Sequence, residues 1–394
     1  MTQEKLVLKG MSLEEMQEFV ESLGEKKYRA AQLFSWIYAK GAQSFEEMTD
    51  ISREFQAVLS AKASLGQLGV VRKSVSPKDG TTKFLFRLDD GKMIESVLIP
   101  PEDPDRPTDS DESAERTSGS EQRLTLCLST QVGCPLDCKF CATGTMGFLR
   151  NLTAGEIIDQ VTQAQRHAPR RITNLVYMGM GEPMLNYDNV MKSVDILTDD
   201  RSLNIGARHI TISTAGYADR IRQMADERRR VKLALSLHSL DNAKRTKLMP
   251  ITKKFSVDEL IDSLEYYYKK TRHRPTFEYI PFDGFNDTES DVKRFVKLSK
   301  RIPCKVNIIP FHSIDFTIPS GFGATLKPTP RGRLEEFAQA LREADITVMV
   351  RSSAGEDIEA ACGQLAVEED RSAKRPAGPK GVAAKTAARG NTVH

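Results

Sequence analysis

The sequence predicts an α/β protein: an incomplete (β/α)6 barrel, with an N-terminal helical accessory domain and a small β extension. Three observations predict it. Short apolar runs recur at residues 124–128, 174–178, 209–213, 232–236, 276–280 and 305–310, and a further run at 346–351 follows the last helix. Most gaps between the six hold a crossover helix pattern, as at 154–166, 189–198 and 257–269. Strands alternating with helices imply a parallel sheet with helices outside. The first 70 residues instead carry helical periodicity. In such a barrel, active residues lie at or just after the strand C-terminal ends.

The helical domain spans residues 1–70. Ser12 is an N-cap before the acids Glu14 and Glu15, and Gly24 ends that helix. Residues 28–38 repeat apolar side chains at three and four. Lys26, Lys27 and Arg29 beside these aromatics suit either RNA contact or an ordinary solvated edge. Residues 71–100 alternate around Asp89-Asp90-Gly91, a hairpin signal. The barrel occupies 123–351, and residues 352–370 form a C-terminal loop.

Composition excludes several classes. The 394 residues are 39% hydrophobic and 28% charged, ordinary for a globular chain and unlike a collagen-like or wholly disordered one. No run approaches the roughly 18 apolar residues of a spanning helix. Met1-Thr2-Gln3-Glu4-Lys5 lacks a signal-peptide core. These features predict a cytoplasmic protein without membrane contact, whose six cysteines serve metal or redox chemistry. The net charge of +3 is a remainder. Residues 101–122 hold eight acids and two bases, and read as an acidic flexible insertion. Residues 371–394 hold six bases and no acids, and read as a disordered basic tail.

Cys134-Pro135-Leu136-Asp137-Cys138-Lys139-Phe140-Cys141 is C-x3-C-x2-C, directly after the first barrel strand. Three thiolates so close can converge only if the backbone loops around them. Structural zinc prefers four ligands, usually as two distant C-x-x-C pairs. Three cysteines suit a [4Fe–4S] cluster with one iron free of protein ligands. Zinc with Cys127 as fourth ligand is the competing assignment.

Other residues fall at strand ends. Gly179-Met180-Gly181-Glu182-Pro183 follows the second strand; its glycines allow close backbone approach, and Glu182 can accept from an ammonium group. A plain turn is the alternative. Ser213 ends the third strand, and Ser236-Leu237-His238 ends the fourth. Their hydroxyls can bind a ribose or a carboxylate.

These motifs together resemble the radical S-adenosylmethionine (SAM) superfamily, and within it the RlmN/Cfr family of RNA adenosine methyltransferases. The resembling segments are Thr125 to Cys134, Met178 to Pro183, Ser236-Leu237-His238, Gly355 to Leu365 and Gln32 to Tyr38. The resemblance spans about residues 10 to 366 without the acidic insertion. It implies a radical-SAM barrel in which Cys134, Cys138 and Cys141 hold one [4Fe–4S] cluster. It implies SAM contacts at Gly181, Glu182, Ser213, Ser236, Leu237 and His238. Well-known members carry Asn where His312 aligns, so His312 is a substituted cofactor contact. Cys362 is implied as the methyl-accepting thiol and Cys127 as the cysteine that resolves the RNA adduct, leaving a transient disulfide. Glu95 is implied as a proton acceptor, against the plainer reading of a strand residue facing solvent. Cys304 matches no motif and reads as structural. The implied reaction methylates C2 of a specific adenosine in 23S rRNA and in tRNA next to the anticodon, consuming two SAM molecules. Methylation of C8 of the same rRNA base is the alternative. The implied partners are these RNAs, an external electron donor of the flavodoxin or ferredoxin type and a thiol reductant, with the chain a monomer. Arg166, Arg170, Arg171, Arg228-Arg229-Arg230, Lys269, Lys270, Arg272 and Arg274 are candidate phosphate contacts.

Overall fold

Helix α1 (Leu13–Ser22) opens with a capping box: Ser12 Oγ accepts from Glu15 N–H, and Glu15 accepts from Ser12 N–H. Helix α2 (Tyr28–Phe34) widens into a π turn at Ser35–Ala39, and α3 (Arg53–Lys62) completes the N-terminal unit. The computed structural model describes residues 5–101, 123–314, 317 and 320–367. Apart from residue 101, the expected acidic insertion and the basic tail lie outside the described residues.

Among the described residues, ten strands form one sheet in sequential order. The first three, β1 (Gly69–Val75), β2 (Thr82–Arg87) and β3 (Met93–Ile99), make an antiparallel meander. The hairpin expected from sequence thus has a third strand. Seven parallel strands follow: β4 (Thr125–Cys127), β5 (Asn174–Tyr177), β6 (Ile210–Thr214), β7 (Lys232–Ser236), β8 (Thr276–Tyr279), β9 (Lys305–Ile308) and β10 (Thr347–Val350). β3 joins β4 antiparallel, so the extension continues the barrel sheet rather than standing apart. The sheet ends at β10 without returning to β4, which is the partial barrel predicted.

Crossover helices α4 (Ala154–His167), α5 (Tyr187–Thr198), α6 (Ala218–Asp226), α7 (Asn242–Leu248), α8 (Val257–Thr271), α9 (Glu289–Ser299) and α10 (Arg331–Arg342) connect these strands. Capping boxes at Thr153 and Ser256 fix the starts of α4 and α8. The N-terminal unit is tied to α4 by a buried Lys9–Asp159 ion pair at 2.5 Å, and Asp159 also accepts from Leu68 N–H.

Strand register decides which side chains face inward. Tyr279 packs on Phe295 of α9 and Phe337 of α10, and Tyr177 hydrogen bonds Ser193 of α5. Those parities therefore face the helices. The opposite parity faces the barrel interior. Val97 pairs with Cys127, Cys127 with Val176, and Thr211 with both Val176 and Lys232. Ser236 pairs with Glu278, and Glu278 with Asn307. One inner face therefore carries Lys83, Glu95, Cys127, Ser213, Ser236, Glu278 and Asn307.

Candidate active site

The cysteine loop is clamped at its base. Gln131–Gly133 pairs antiparallel with Phe148–Asn151, two short strands that the sequence pattern did not reveal. Gly133 has φ +75°, and a Cβ there would lie 1.8 Å from the Gly147 carbonyl oxygen. Asp137 adopts the left-handed region that turns the loop back on itself. Cys134, Cys138 and Cys141 are free and half-buried. Burial pushes all three thiols above the ordinary range, and Cys141 raises Cys134 and Cys138 further. Such mutual crowding of thiols fits a shared cationic centre such as an iron–sulfur cluster. Among the described residues no three His, Cys, Asp or Glu side chains gather as ligands of a single metal ion.

The Gly-Glu motif is built by close backbone approach. A Cβ on Gly179 would meet the Leu128 carbonyl at 2.7 Å. Gly181 has φ +99°, and its Cβ would fall 2.5 Å from Gln131 Cβ. Gln131 in turn accepts from Glu182 N–H at 2.9 Å. Glu182 is buried, with Oε1 accepting from Met184 N–H (3.0 Å) and Oε2 from Ala215 N–H (2.8 Å). Burial pushes its carboxyl upward. Among the described residues it has no ion-pair partner. An oriented, buried carboxylate of this kind fits an ammonium group, such as that of SAM.

Ser213 and Ser236 place their hydroxyls 3.4 Å apart on the inner face. Leu237 is wholly buried, with its N–H donated to Glu278 O and its carbonyl accepting from Arg245. His238 adopts φ +52°; its Nδ1 accepts from Ile280 N–H, and its ring meets Phe140 edge-on at 4.6 Å. Burial, then the charge of Arg245, depress its imidazole to about 3, so it is neutral with the proton on Nε2. His238 thus braces the aromatic residue of the cysteine motif.

Arg245 was not visible from sequence. It lies on α7, fully buried, and donates to the carbonyls of Ala215, Ser236 and Leu237 and to Thr252 Oγ1. It ties the ends of β6 and β7 together. Burial lowers it to about 10, and Cys138 opposes that shift, which puts its charge beside the cysteine loop. A basic run on a short helix gives no sequence signal of this.

Cys127 ends β4 on the inner face, and burial, then the Cys362 charge, push its thiol up. Cys362 is solvent-exposed; the surrounding protein raises its thiol while Arg351 lowers it. The two sulfurs are therefore electrostatic neighbours, and both are free. Cys304 is buried.

The Cys362 loop is held from both sides. Ala142 N–H donates to Gly363 O (2.7 Å) and Thr143 Oγ1 to Leu365 O (2.6 Å) from the cysteine loop. From the β extension, Ser76 Oγ donates to Asp357 (2.8 Å), Asp79 accepts from Gly355 N–H (2.8 Å), and Lys83 Nζ donates to Glu359 O (3.2 Å). Glu95 accepts from Ala366 N–H at 3.0 Å and faces Lys83 Nζ at 3.4 Å. Glu95 is fully buried, so the solvent-facing reading is wrong: β3 is an interior strand of the sheet, not an edge. His312 is buried, with Nδ1 3.1 Å from Glu356 of the same loop.

Several candidate phosphate contacts are engaged elsewhere. Arg229 pairs with Asp195 and Glu227, Lys270 with Asp226, and Lys269 with Glu265. Arg171 donates to the carbonyls of Leu203 and Asn204. At the N-terminal unit, Lys27 faces Glu21 and Arg29 faces Glu25.

Known proteins resemble the chain over most of its length. Residues 6–65 match a family described as the ribosomal RNA large subunit methyltransferase N-terminal domain, and residues 128–298 match the radical SAM superfamily. A "Probable dual-specificity RNA methyltransferase RlmN" of Thermotoga sp. (strain RQ2) is 43% identical over 362 residues, covering 92% of this chain and 98% of its own. The chain belongs to the RlmN family. A relative of the same description from Cytophaga hutchinsonii is 42% identical over 93% of this chain and 94% of its own. The crystal structure of a radical SAM methyltransferase from Sphaerobacter thermophilus superposes with a TM-score of 0.80 at 39% identity, covering 91% of this chain and 99% of that one. The protein is accordingly a SAM-dependent RNA methyltransferase of radical mechanism, and its family uses SAM and a [4Fe–4S] cluster. Among the described residues no helix is long and apolar enough to cross a membrane.

Proposed function

We propose that the protein methylates C2 of one adenosine in 23S rRNA, and of the adenosine beside the tRNA anticodon, through a methylated Cys362. The observation that carries this reading is the placement of two thiols: Cys127 lies on the inner face, and the loop bearing the exposed Cys362 is tied to Lys83 and Glu95 of the same face. A structural cysteine needs no such neighbour, whereas resolution of a covalent adduct does.

The adenine C2 lies between two ring nitrogens and is too electron-poor to attack a methyl cation donor. Cys134, Cys138 and Cys141 would hold the cluster, which when bound supplies the electron that cleaves SAM to a 5′-deoxyadenosyl radical. Glu182 and the Ser213–Ser236 pair would orient SAM, and Arg245 would hold the strand ends that carry them. Cys362 first takes a methyl group as its thiolate, releasing S-adenosylhomocysteine. Loss of one hydrogen atom from that S-methyl to the 5′-deoxyadenosyl radical leaves a carbon radical that adds to C2 of the base, and the adduct radical would give up one electron to the centre that those three cysteines would hold, together with the C2 proton. Glu95 and Cys127 are the proton-handling candidates for the C2 hydrogen. Cys127 thiolate then attacks Cys362 sulfur, the bond from that sulfur to the new carbon breaks with its electron pair on the carbon, that carbon takes a proton to become the methyl group, and the methylated RNA leaves. The resulting disulfide needs a thiol reductant, which suits a cytoplasmic setting. The target base must leave its stack to reach the barrel. We assign the helical domain to RNA contact and an external flavodoxin- or ferredoxin-type protein to electron supply, acting on a monomer.

Nucleoside mass spectrometry of RNA treated with reconstituted protein tests this: 2-methyladenosine is expected. Finding 8-methyladenosine instead would transfer the chain to the alternative regiochemistry.

A further inference from the structure

The inner face holds one carboxylate that no role above uses. Glu278 lies within β8 and is 3% exposed. Its Oε1 accepts from Asn307 Nδ2 at 2.9 Å. Among the described residues, its buried Oε2 has no hydrogen-bond partner. A buried carboxylate oxygen left bare is costly, and such an exception in a folded chain calls for a ligand.

The surroundings say what kind. Ser236 is the register partner of Glu278 on β7, and its hydroxyl neighbours that of Ser213. On the other side, Cys362 senses the Glu278 charge. Glu278 is thus a neighbour of the hydroxyl pair assigned to SAM, and its charge acts on the methyl-accepting thiol. Burial pushes the Glu278 carboxyl up, while the Arg351 charge and the Asn307 hydrogen bond favour the carboxylate in part. Both molecules that enter this space, SAM and the target nucleotide, carry an adenosine. An adenosine offers an exocyclic amino group and ribose hydroxyls as donors. Asn307 holds Oε1 and leaves Oε2 available.

We propose that Glu278 is a ligand-binding residue of this site, its free Oε2 accepting a hydrogen bond from the amino group or a ribose hydroxyl of an adenosine bound in the barrel. The proposal rests on the reading of the barrel as an adenosine-methylation site. Asn307 is its positioning residue.

The test uses anaerobically reconstituted full-length protein and its Glu278→Gln variant, which keeps the shape and removes the charged acceptor. One arm titrates S-adenosylhomocysteine by calorimetry. The other measures binding of a target stem-loop RNA. In at least one arm, Glu278→Gln should bind about ten- to a hundredfold more weakly, the size of a lost charged hydrogen bond. Loss with S-adenosylhomocysteine assigns the contact to SAM; loss with RNA assigns it to the target. In the affected arm, analogues lacking the 6-amino, 2′-hydroxyl or 3′-hydroxyl are compared, and one of them should bind wild type and variant equally. Unchanged cluster absorbance shows that the variant is intact. If the variant loses its cluster, wild-type affinity for the analogues decides: equal affinity for every analogue overturns the proposal. Wild-type affinity of Glu278→Gln for both ligands overturns it too. The readout is binding, so failure to detect 2-methyladenosine would sink the proposed reaction without touching this contact.

Discussion

Replacing Lys83 with methionine removes two restraints on the Cys362 loop. The ammonium group donates to Glu359 O and faces Glu95 across 3.4 Å, with the two side chains 8% and 1% exposed. Methionine keeps the apolar stem and takes the Lys83 cation away from the buried Glu95 carboxylate. Breaking a buried pair from one side costs about 3–5 kcal/mol. Each 1.36 kcal/mol is tenfold, so the loop should open at least about a hundredfold more often. The Ser76, Asp79, Ala142 and Thr143 contacts remain, which favours the lower end. Hydrogen exchange read by mass spectrometry across residues 355–366 would show the change, and alkylation of Cys362 should accelerate with it. Lys83→Met combined with Glu95→Gln should be milder than Lys83→Met alone, since the buried negative charge is removed together with the cation that faces it. Exchange and alkylation at wild-type rates in Lys83→Met would refute the claim that the β extension holds this loop.

Cys127→Ala should trap a covalent RNA–protein species, seen as a slow-migrating band that nuclease removes; full turnover without an adduct would reject its resolving role. Gly181→Ala combines a positive φ with a 2.5 Å approach to Gln131, so it should lower stability by about 2 kcal/mol or more and weaken SAM binding, read by denaturant midpoint and calorimetry. Arg245→Met strands four acceptors, three of them carbonyls at the ends of β6 and β7, and should lower stability by about 3 kcal/mol or more with reduced cluster retention. Wild-type iron content and midpoint would contradict that.

The barrel strands were legible because each is a short apolar run between turn signals, and the structure moves their ends by only one or two residues. β1 was not legible as a strand because six of its seven residues are exposed, which removes the alternation that marks a half-buried strand. The clamp of Gln131–Gly133 on Phe148–Asn151 is too short to carry a period. Motif residues such as Cys134 and Glu182 stand out in the sequence because their pattern is local. Lys83 and Arg245 were missed because their roles depend on partners far along the chain, Glu359 and Ala215 among them. Glu278 did leave a signal: a carboxylate inside a parallel strand, where both faces are normally apolar. Glu95 shows the reverse case, since its burial follows only from β3 lying between β2 and β4.

The central claim is that Cys362 carries the methyl group to the RNA. Protein reconstituted anaerobically with SAM bearing a deuterated methyl group, then digested, tests it most directly by mass spectrometry. The account predicts a labelled S-methyl group on the Cys362 peptide, which passes to C2 of adenosine when RNA is added. An unmodified Cys362 in protein that still methylates RNA would contradict it.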